Sequence, residues 1–420
     1  MIYHLCEYLQ SRGIEFAGLR LMNYISFRVV CCALVAIVTA LWSGKVIIKK
    51  LQAKQIGEEI RDLGLEGQLS KKGTPTMGGM IIALSILVPI LLFGDLTNVN
   101  NILLIVATVW MGFIGYLDDH AKIAKHNKDG ISGKKKILAQ VVLGLAVGLT
   151  MCFSDQLGFR VGNKGGVDGY GGSDETAVEV VMENSAKTTI PFVKDNEFDY
   201  SWLSPLDGKA GQWWTWIVYI LVIIFIITAC SNGANLTDGM DGLSAGVAAI
   251  VGITLGVLAY LSGHVGYANY LNIMYIPSSG EIAVYMSAMV GALLGFLWYN
   301  TFPAKVFMCD TGSLMLGGVI GVCAVLIRKE LLLPILCGVY LAESLSVIIQ
   351  RFYFKYTKKK YGEGVRVFRM SPLHHHFQKE DPKALIQSPR EIQPEARIVS
   401  RFWIVSIILA VLTIVTLKIR

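Results

Sequence analysis

Five aspartates, Asp118, Asp119, Asp238, Asp241 and Asp310, stand at the ends of long apolar runs in this chain. A carboxylate beside hydrocarbon is costly to solvate, so acids at a membrane edge point first to function. Asp118 and Asp119 are adjacent. Two carboxylates this close repel when both are charged, so one can take up a proton while the other holds a cation. Asn235, Asp238 and Asp241 recur every three residues, which aligns them along one side of a helix, and Gly239 and Gly242 let a ligand approach. A polar turn between spans also uses Asn, Asp and Gly, but needs fewer acids than this segment carries. Asp310 taken alone reads as a helix N-cap. Together with other carboxylates it would supply the hard oxygen ligands that Mg2+ prefers.

Other residues suit anions. Lys71-Lys72-Gly73-Thr74-Pro75-Thr76-Met77-Gly78-Gly79 leads into an apolar run, and lysine beside glycine at a helix start suits a phosphate, although the GxxxxGK[ST] spacing of a P-loop is absent. The same lysines also fit an ordinary basic membrane-flanking loop. His374, His375 and His376 are consecutive, so they cannot all face one ion from a regular helix, and no CxxC or HExxH motif accompanies them. They read instead as hydrogen-bonding groups for a phosphate or a nucleotide. The eight cysteines form no CxxC pair and lie mostly in apolar runs, where they behave as small hydrophobes.

The elements that must position these residues are membrane helices. The chain has 420 residues, 53% of them hydrophobic and only 16% charged. Ten apolar segments, near 27–48, 78–94, 101–117, 137–154, 213–230, 243–261, 282–299, 311–327, 331–354 and 400–418, are read as spans of an all-α, polytopic integral membrane helix bundle. The first begins after Arg28 with no small-residue cleavage pattern and is read as a span, not a leader. Basic residues collect in the loops 49–77, 120–136 and 355–398, which alternation puts on one side, the cytoplasmic one. The acidic loop 155–212 then lies outside, and ten spans leave both termini outside. Arg12, Arg20 and Arg28 oppose this orientation. All five aspartates fall on the cytoplasmic side. The net charge of +7 is accounted for by the same positive-inside bias, with no need of a nucleic-acid partner. The whole chain is read as one transmembrane catalytic domain carrying the external insertion 155–212 and the histidine-containing loop 355–398.

Five motifs occur in an order that resembles a known family: Lys72-Gly-Thr-Pro-Thr-Met-Gly-Gly79, Gly115-Tyr-Leu-Asp-Asp119, Asn235-Leu-Thr-Asp-Gly-Met-Asp-Gly-Leu243, Phe307-Met-Cys-Asp-Thr-Gly-Ser-Leu314 and Pro372-Leu-His-His-His-Phe377. The chain resembles the phospho-N-acetylmuramoyl-pentapeptide-transferase family, within the polyprenyl-phosphate N-acetylhexosamine-1-phosphate transferases, from about residue 45 to the C-terminus outside the loop 155–212. The resemblance implies an Mg2+-dependent transfer of phospho-MurNAc-pentapeptide from UDP-MurNAc-pentapeptide to undecaprenyl phosphate, yielding lipid I and UMP, at the cytoplasmic face of the bacterial inner membrane. It implies that Asp310 binds the metal and that Asp118 and Asp119 are the catalytic pair, Asp118 deprotonating the lipid phosphate. Asn235, Asp238, Asp241, Asn300 and Phe307 would line the nucleotide and active-site pocket. His374, His375 and His376 would contact substrate phosphates or sugar, and Lys72 and Lys122 would neighbour phosphates. Cys309 stands where the family commonly has glycine, and His120 where it commonly has tyrosine.

Direct attack by the lipid phosphate and a covalent aspartyl intermediate are both compatible with these motifs. Whether the chain forms a homodimer stays open at this level. A sibling transferase that loads GlcNAc-1-phosphate onto a lipid carrier is the nearest alternative. An ion-coupled transporter is the alternative of another class, and it would place its acids at mid-membrane within inverted repeats.

Overall fold

The computed structural model describes residues 1–14, 17–53, 71, 73–124, 130–160, 182–183, 185–193, 197–271 and 273–417. Lys72 and parts of the loops 49–77, 120–136 and 155–212 lie outside the described residues. In hydrocarbon a helix satisfies its own backbone hydrogen bonds, so each apolar run folds as one. The helices are α1 (Ile2–Ser11), α2 (Ala17–Leu21), α3 (Ile25–Ala53), α4 (Gly79–Phe93), α5 (Val99–Ala124), α6 (Gly133–Phe153), α7 (Gly208–Thr237), α8 (Leu243–Ser262), α9 (Val265–Leu271), α10 (Ser279–Asn300), α11 (Cys309–Leu326), α12 (Leu333–Leu336), α13 (Gly338–Tyr361), α14 (Leu373–His376) and α15 (Glu395–Thr416).

Every one of the ten expected segments falls on helix, but they do not form ten equivalent spans. Among the described residues, eight helices are long and apolar enough to cross a membrane: α3, α5, α6, α7, α8, α10, α11 and α15. The segment expected at 78–94 is α4, whose 15 residues reach only about 22 Å, short of a hydrocarbon core of about 30 Å. The segment expected at 331–354 is broken. Glu330–Leu336 and Gly338–Tyr361 meet at 75°, because Cys337 between them has non-helical torsions.

Helix α11 is the axis of the bundle. Its most apolar stretch is almost wholly buried, and α4, α5, α7 and α8 pack around it. Two close approaches make that packing possible. A Cβ on Gly79 would stand 2.2 Å from the Gly312 nitrogen, and one on Gly115 would stand 2.3 Å from the Asp310 carbonyl oxygen. Backbone therefore meets backbone at the start of α11, and the residue one turn beyond Gly115, Asp118, is drawn to the same place.

The insertion 155–212 adds a small β component to the expected all-α fold. Strands β1 (Phe159–Arg160) and β2 (Met182–Glu183) form one antiparallel pair; β3 (Lys187–Thr189) and β4 (Glu197–Asp199) form another. The β3–β4 hairpin docks just beyond the far end of α11. The Thr189 amide donates to the Arg328 carbonyl (3.0 Å), and Lys329 Nζ donates to Thr189 Oγ1 (2.7 Å). Asp310 begins α11 and Arg328 follows it, so about 27 Å of helix separates the β3–β4 hairpin from Asp310. Among the described residues, the β3–β4 hairpin and the acids occupy opposite ends of the bundle.

Arg28, which opposed the charge-based orientation, is buried in α3 and ion-paired with Glu281 of α10 at 2.5 Å. Its charge is neutralised inside the protein and does not weigh as a free loop cation.

Candidate active site

The site begins with the pair that ends α5. Asp118 and Asp119 are both buried, and together with Asp310 they present three carboxylate oxygens within 4.8 Å of one another. The three acids come from positions nearly 200 residues apart in sequence. Asp119 caps α11 across the gap: its Oδ2 accepts from the Thr311 amide (2.8 Å) and the Thr311 hydroxyl (2.5 Å), and its Oδ1 accepts from the Asp310 amide (3.2 Å). Asp118 is enclosed from another direction. Its Oδ1 accepts from the Ile131 amide at 2.7 Å, and Gly130 lies so close that a Cβ there would stand 2.4 Å from the same oxygen.

Two ammonium groups compensate these charges. Lys122 Nζ lies 2.7 Å from Asp118 Oδ2, 3.2 Å from Asp310 Oδ2 and 3.7 Å from Asp119 Oδ1. Lys136 Nζ lies 2.5 Å from Asp310 Oδ2 and 3.0 Å from Asp118 Oδ2. Asn235 completes the group, donating from Nδ2 to Asp310 Oδ1 (2.8 Å) and to Ser313 Oγ (2.9 Å). Asp310 therefore takes two ammonium groups on one oxygen and an amide on the other. Its side chain is the most accessible of the three acids, at 13% against 1% for Asp118 and 4% for Asp119.

A second polar group stands on the continuation of the same segments. Asp241 Oδ1 pairs with Lys71 Nζ at 2.6 Å, and its Oδ2 accepts from the Ala304 amide at 2.9 Å. Glu395 Oε1 shares the lysine at 2.6 Å and accepts from the Asp241 amide at 2.7 Å. The Lys71 ammonium lies 5.9 Å from the ring centres of both Phe302 and Phe307. Phe307 is held by its backbone, donating to the Pro75 carbonyl (2.9 Å) and accepting from the Gly78 amide (2.8 Å). Asn300 is consumed by bracing: its Oδ1 accepts from the Gly242 amide (3.1 Å) and its Nδ2 donates to the Val306 carbonyl (2.9 Å). Asp238 is half-buried at the end of α7, beyond Asn235.

The three histidines diverge, as their spacing requires. His374 is buried beside Glu343 of α13, with Nδ1 3.2 Å from Oε2 and its amide donating to Oε1 at 3.2 Å. Its Nε2 faces Gly239, where a Cβ would stand 2.2 Å away. This contact ties the histidine loop to the Asn235–Asp241 segment. His375 is partly buried, with Nδ1 3.2 Å from Gln378 Oε1. Burial, reinforced by the neighbouring His374, pushes its pKa down to about 3, so it is neutral at pH 7. His376 turns inward, accepting from the Arg369 amide (3.1 Å) and bonding the Ser388 carbonyl (2.8 Å).

The expected residues thus divide. Asp118, Asp119, Lys122, Asn235 and Asp310 converge; Asp241 and Phe307 form the neighbouring group; His374 joins through Gly239; Asn300 and His376 brace backbone. Lys71, one position before the expected Lys72, makes the ion pairs that the structure describes. Lys136, Glu343, Glu395 and Thr311 were not anticipated. Helical spacing was a usable signal for Lys136, since it lies one turn before the buried Gln140 on α6. Nothing local marks Glu395 or Glu343, whose partners lie 154 and 31 residues away.

The position of Cys309 has a backbone explanation. Its φ is +57°, in the left-handed region where glycine is at ease and other residues are not.

The cluster fits a divalent cation. Its donors are hard carboxylate oxygens from three residues, gathered around a point now shared by two ammonium groups, which shows that the pocket concentrates negative charge.

The chain is similar over its length to known proteins. Residues 101–328 match glycosyl transferase family 4. Over the full length of both chains, the sequence is 52% identical to the phospho-N-acetylmuramoyl-pentapeptide-transferase of Parabacteroides distasonis. It is 50% identical to that of Flavobacterium johnsoniae and 49% to that of Porphyromonas gingivalis, again with complete coverage of both chains. The similarity therefore extends through residues 1–44 and the insertion 155–212, beyond the part carried by the five motifs.

Proposed function

The chain belongs to the phospho-N-acetylmuramoyl-pentapeptide-transferase family, and from that premise we propose how its residues divide the work of lipid I synthesis. It is a membrane-embedded transferase of peptidoglycan biosynthesis. The donor is UDP-MurNAc-pentapeptide, the acceptor is undecaprenyl phosphate, and the products are lipid I and UMP. One observation carries this reading: three carboxylates, two lysines and an asparagine from distant segments meet at one end of the bundle.

Asp310 would hold Mg2+, which when bound would neutralise the diphosphate and leave UMP a better leaving group. Lys122 and Lys136 bind and neutralise the donor's phosphate oxygens, exchanging their present carboxylate contacts for phosphate ones. Asp118 takes the proton of the lipid phosphate, whose oxygen then attacks the sugar-bearing phosphorus. Asp119 acts through Asp310 by capping α11, which makes it a positioning residue. Asn235 orients the second oxygen of Asp310. Lys71, Asp241 and Phe307 form a polar pocket against an aromatic ring, suited to a nucleoside. His374 and His375 face this region from the last loop.

The clustering of acids at one end, opposite the β3–β4 hairpin, favours transfer at a membrane face over ion transport, which needs acids along the span. The basic loops at the aspartate end support a cytoplasmic active site with both termini outside.

The deciding experiment supplies purified protein with UDP-MurNAc-pentapeptide, undecaprenyl phosphate and Mg2+ and measures UMP. Absence of release, or release indifferent to Asp310→Asn and to EDTA, would refute the assignment. Release with UDP-GlcNAc in place of the muramoyl donor would favour the sibling reaction.

A further inference from the structure

A second basic site lies at the aspartate end of the bundle. A cavity of about 450 Å3 opens between the C-terminal end of α3, the Gly73–Pro75 turn and the segment after α10. Lys45, Lys49 and Lys305 line it, with Gln52, Thr74 and Tyr299. It adjoins the Lys71–Asp241–Phe307 group, because two of its lining residues bond to that group, Ala304 to Asp241 and Pro75 to Phe307. Among the described residues, the ion pairs of that region go to Lys71, Lys122 and Lys136, and none to these three lysines. Three lysines from two separate segments thus border one concave space, among the described residues without a paired carboxylate, so an anion that enters meets uncompensated positive charge.

The cavity has an apolar approach. Leu34, Val38 and Trp42 recur at four-residue spacing on α3 and are 59%, 64% and 69% exposed, while Leu294 and Trp298 on α10 are 50% and 73% exposed. Helices α3 and α10 pack along each other. Trp42 lies one turn before Lys45, and Trp298 adjoins Tyr299 of the cavity wall. Exposed tryptophans on apolar helices mark the depth of lipid head groups. An amphiphile is therefore favoured over a soluble phosphate.

We propose that this cavity binds the phosphate head group of an anionic bilayer phospholipid, whose chains lie along the exposed faces of α3 and α10. The occupant is distinct from the acceptor, whose phosphate must reach Asp118 and Asp310, and none of the three lysines touches those acids. The inference needs only the membrane-embedded fold and goes beyond the transferase reading.

The test uses full-length protein in neutral detergent and native mass spectrometry with four probes: phosphatidylglycerol, phosphatidylcholine, undecaprenyl phosphate and inorganic phosphate. Phosphatidylglycerol is expected to bind in preference to phosphatidylcholine. Binding is expected to weaken roughly fivefold for each lysine changed to Gln, and on the order of 100-fold for Lys45→Gln/Lys49→Gln/Lys305→Gln together. The charge-conserving Lys45→Arg/Lys49→Arg/Lys305→Arg protein should retain it, and UMP release without added phospholipid should be unchanged in both. Undiminished phosphatidylglycerol binding by the triple Gln protein overturns the proposal. So does loss of binding in the Arg protein. Equal or stronger lysine-dependent binding of undecaprenyl phosphate or inorganic phosphate also overturns it, by assigning the cavity to substrate or to soluble anion.

Discussion

Thr311 gives both its amide and its hydroxyl to a single oxygen of Asp119, at 2.8 and 2.5 Å. This contact joins the end of α5 to the start of α11 and sets where Asp310 stands. Asp119→Ala would leave the buried Thr311 amide and the partly buried Asp310 amide without this acceptor, at a cost of about 1–3 kcal/mol for the buried one. The expected outcome is a lower unfolding temperature in detergent together with lost UMP release. Thr311→Val keeps the amide contact and should lower turnover while the protein stays folded. Normal turnover in Thr311→Val would mean that the hydroxyl plays no part in placing Asp310.

Asp118 has the opposite profile. Asp118→Asn removes the proton acceptor and retains the hydrogen bond from Ile131. Turnover is expected to fall by about 100-fold or more, with the unfolding temperature within a few degrees of the parent. Near-normal turnover in a folded Asp118→Asn protein would remove the role of base.

Lys71 separates binding from chemistry. Its ammonium joins Asp241 and Glu395 beside Phe307. Lys71→Met is expected to raise KM for the UDP donor about 10- to 100-fold, the range of a lost charge-assisted hydrogen bond, with a smaller change in kcat. Steady-state kinetics over donor concentration checks this. A fall in kcat at constant KM would move Lys71 out of the nucleoside pocket and into the reacting group.

His375 makes stability depend on pH. Its pKa in the fold is pushed down to about 3, from an ordinary value near 6.5, so between these limits the unfolded chain binds the extra proton. Stability is therefore full above about pH 6.5 and declines as pH falls toward 3. The unfolding temperature should drop between pH 7.5 and pH 5, and His375→Gln should flatten that slope. Equal slopes in the two proteins would show that other groups govern acid sensitivity.

Cys309 sits at φ +57°. Cys309→Gly relieves the left-handed strain but frees the unfolded chain, for a net stabilisation of about 1 kcal/mol at most. Cys309→Val, being β-branched, should destabilise. Paired thermal unfolding of the two variants reads the sign directly, and a destabilised Cys309→Gly protein would contradict the backbone argument.

Much of the site was legible locally. The adjacency of Asp118 and Asp119 already implied a carboxylate pair, and the three-residue spacing from Asn235 to Asp241 implied a shared face. Spacing did not show that α7 ends at Thr237, so that Asn235 turns to Asp310 whereas Asp241, past the helix end, turns to Lys71 and Glu395. The choice between Lys71 and Lys72 was equally hidden, since neighbouring lysines have the same chemistry and differ only in direction. The break at Cys337 was missed for a related reason. Hydropathy measures apolar length and is blind to the torsions of one residue.

By itself, the sequence determined that this protein is a bundle of membrane helices with its acids at helix ends. Helix formation in an apolar run depends only on residues within that run, and each acid's place relative to its own helix follows directly. Tertiary structure decided which acids meet. Asp118, Asp119 and Asp310 become one site only because Gly115 lets α5 touch the backbone at the head of α11. That contact joins positions nearly 200 residues apart, and its existence depends on close packing between two surfaces that no local pattern encodes.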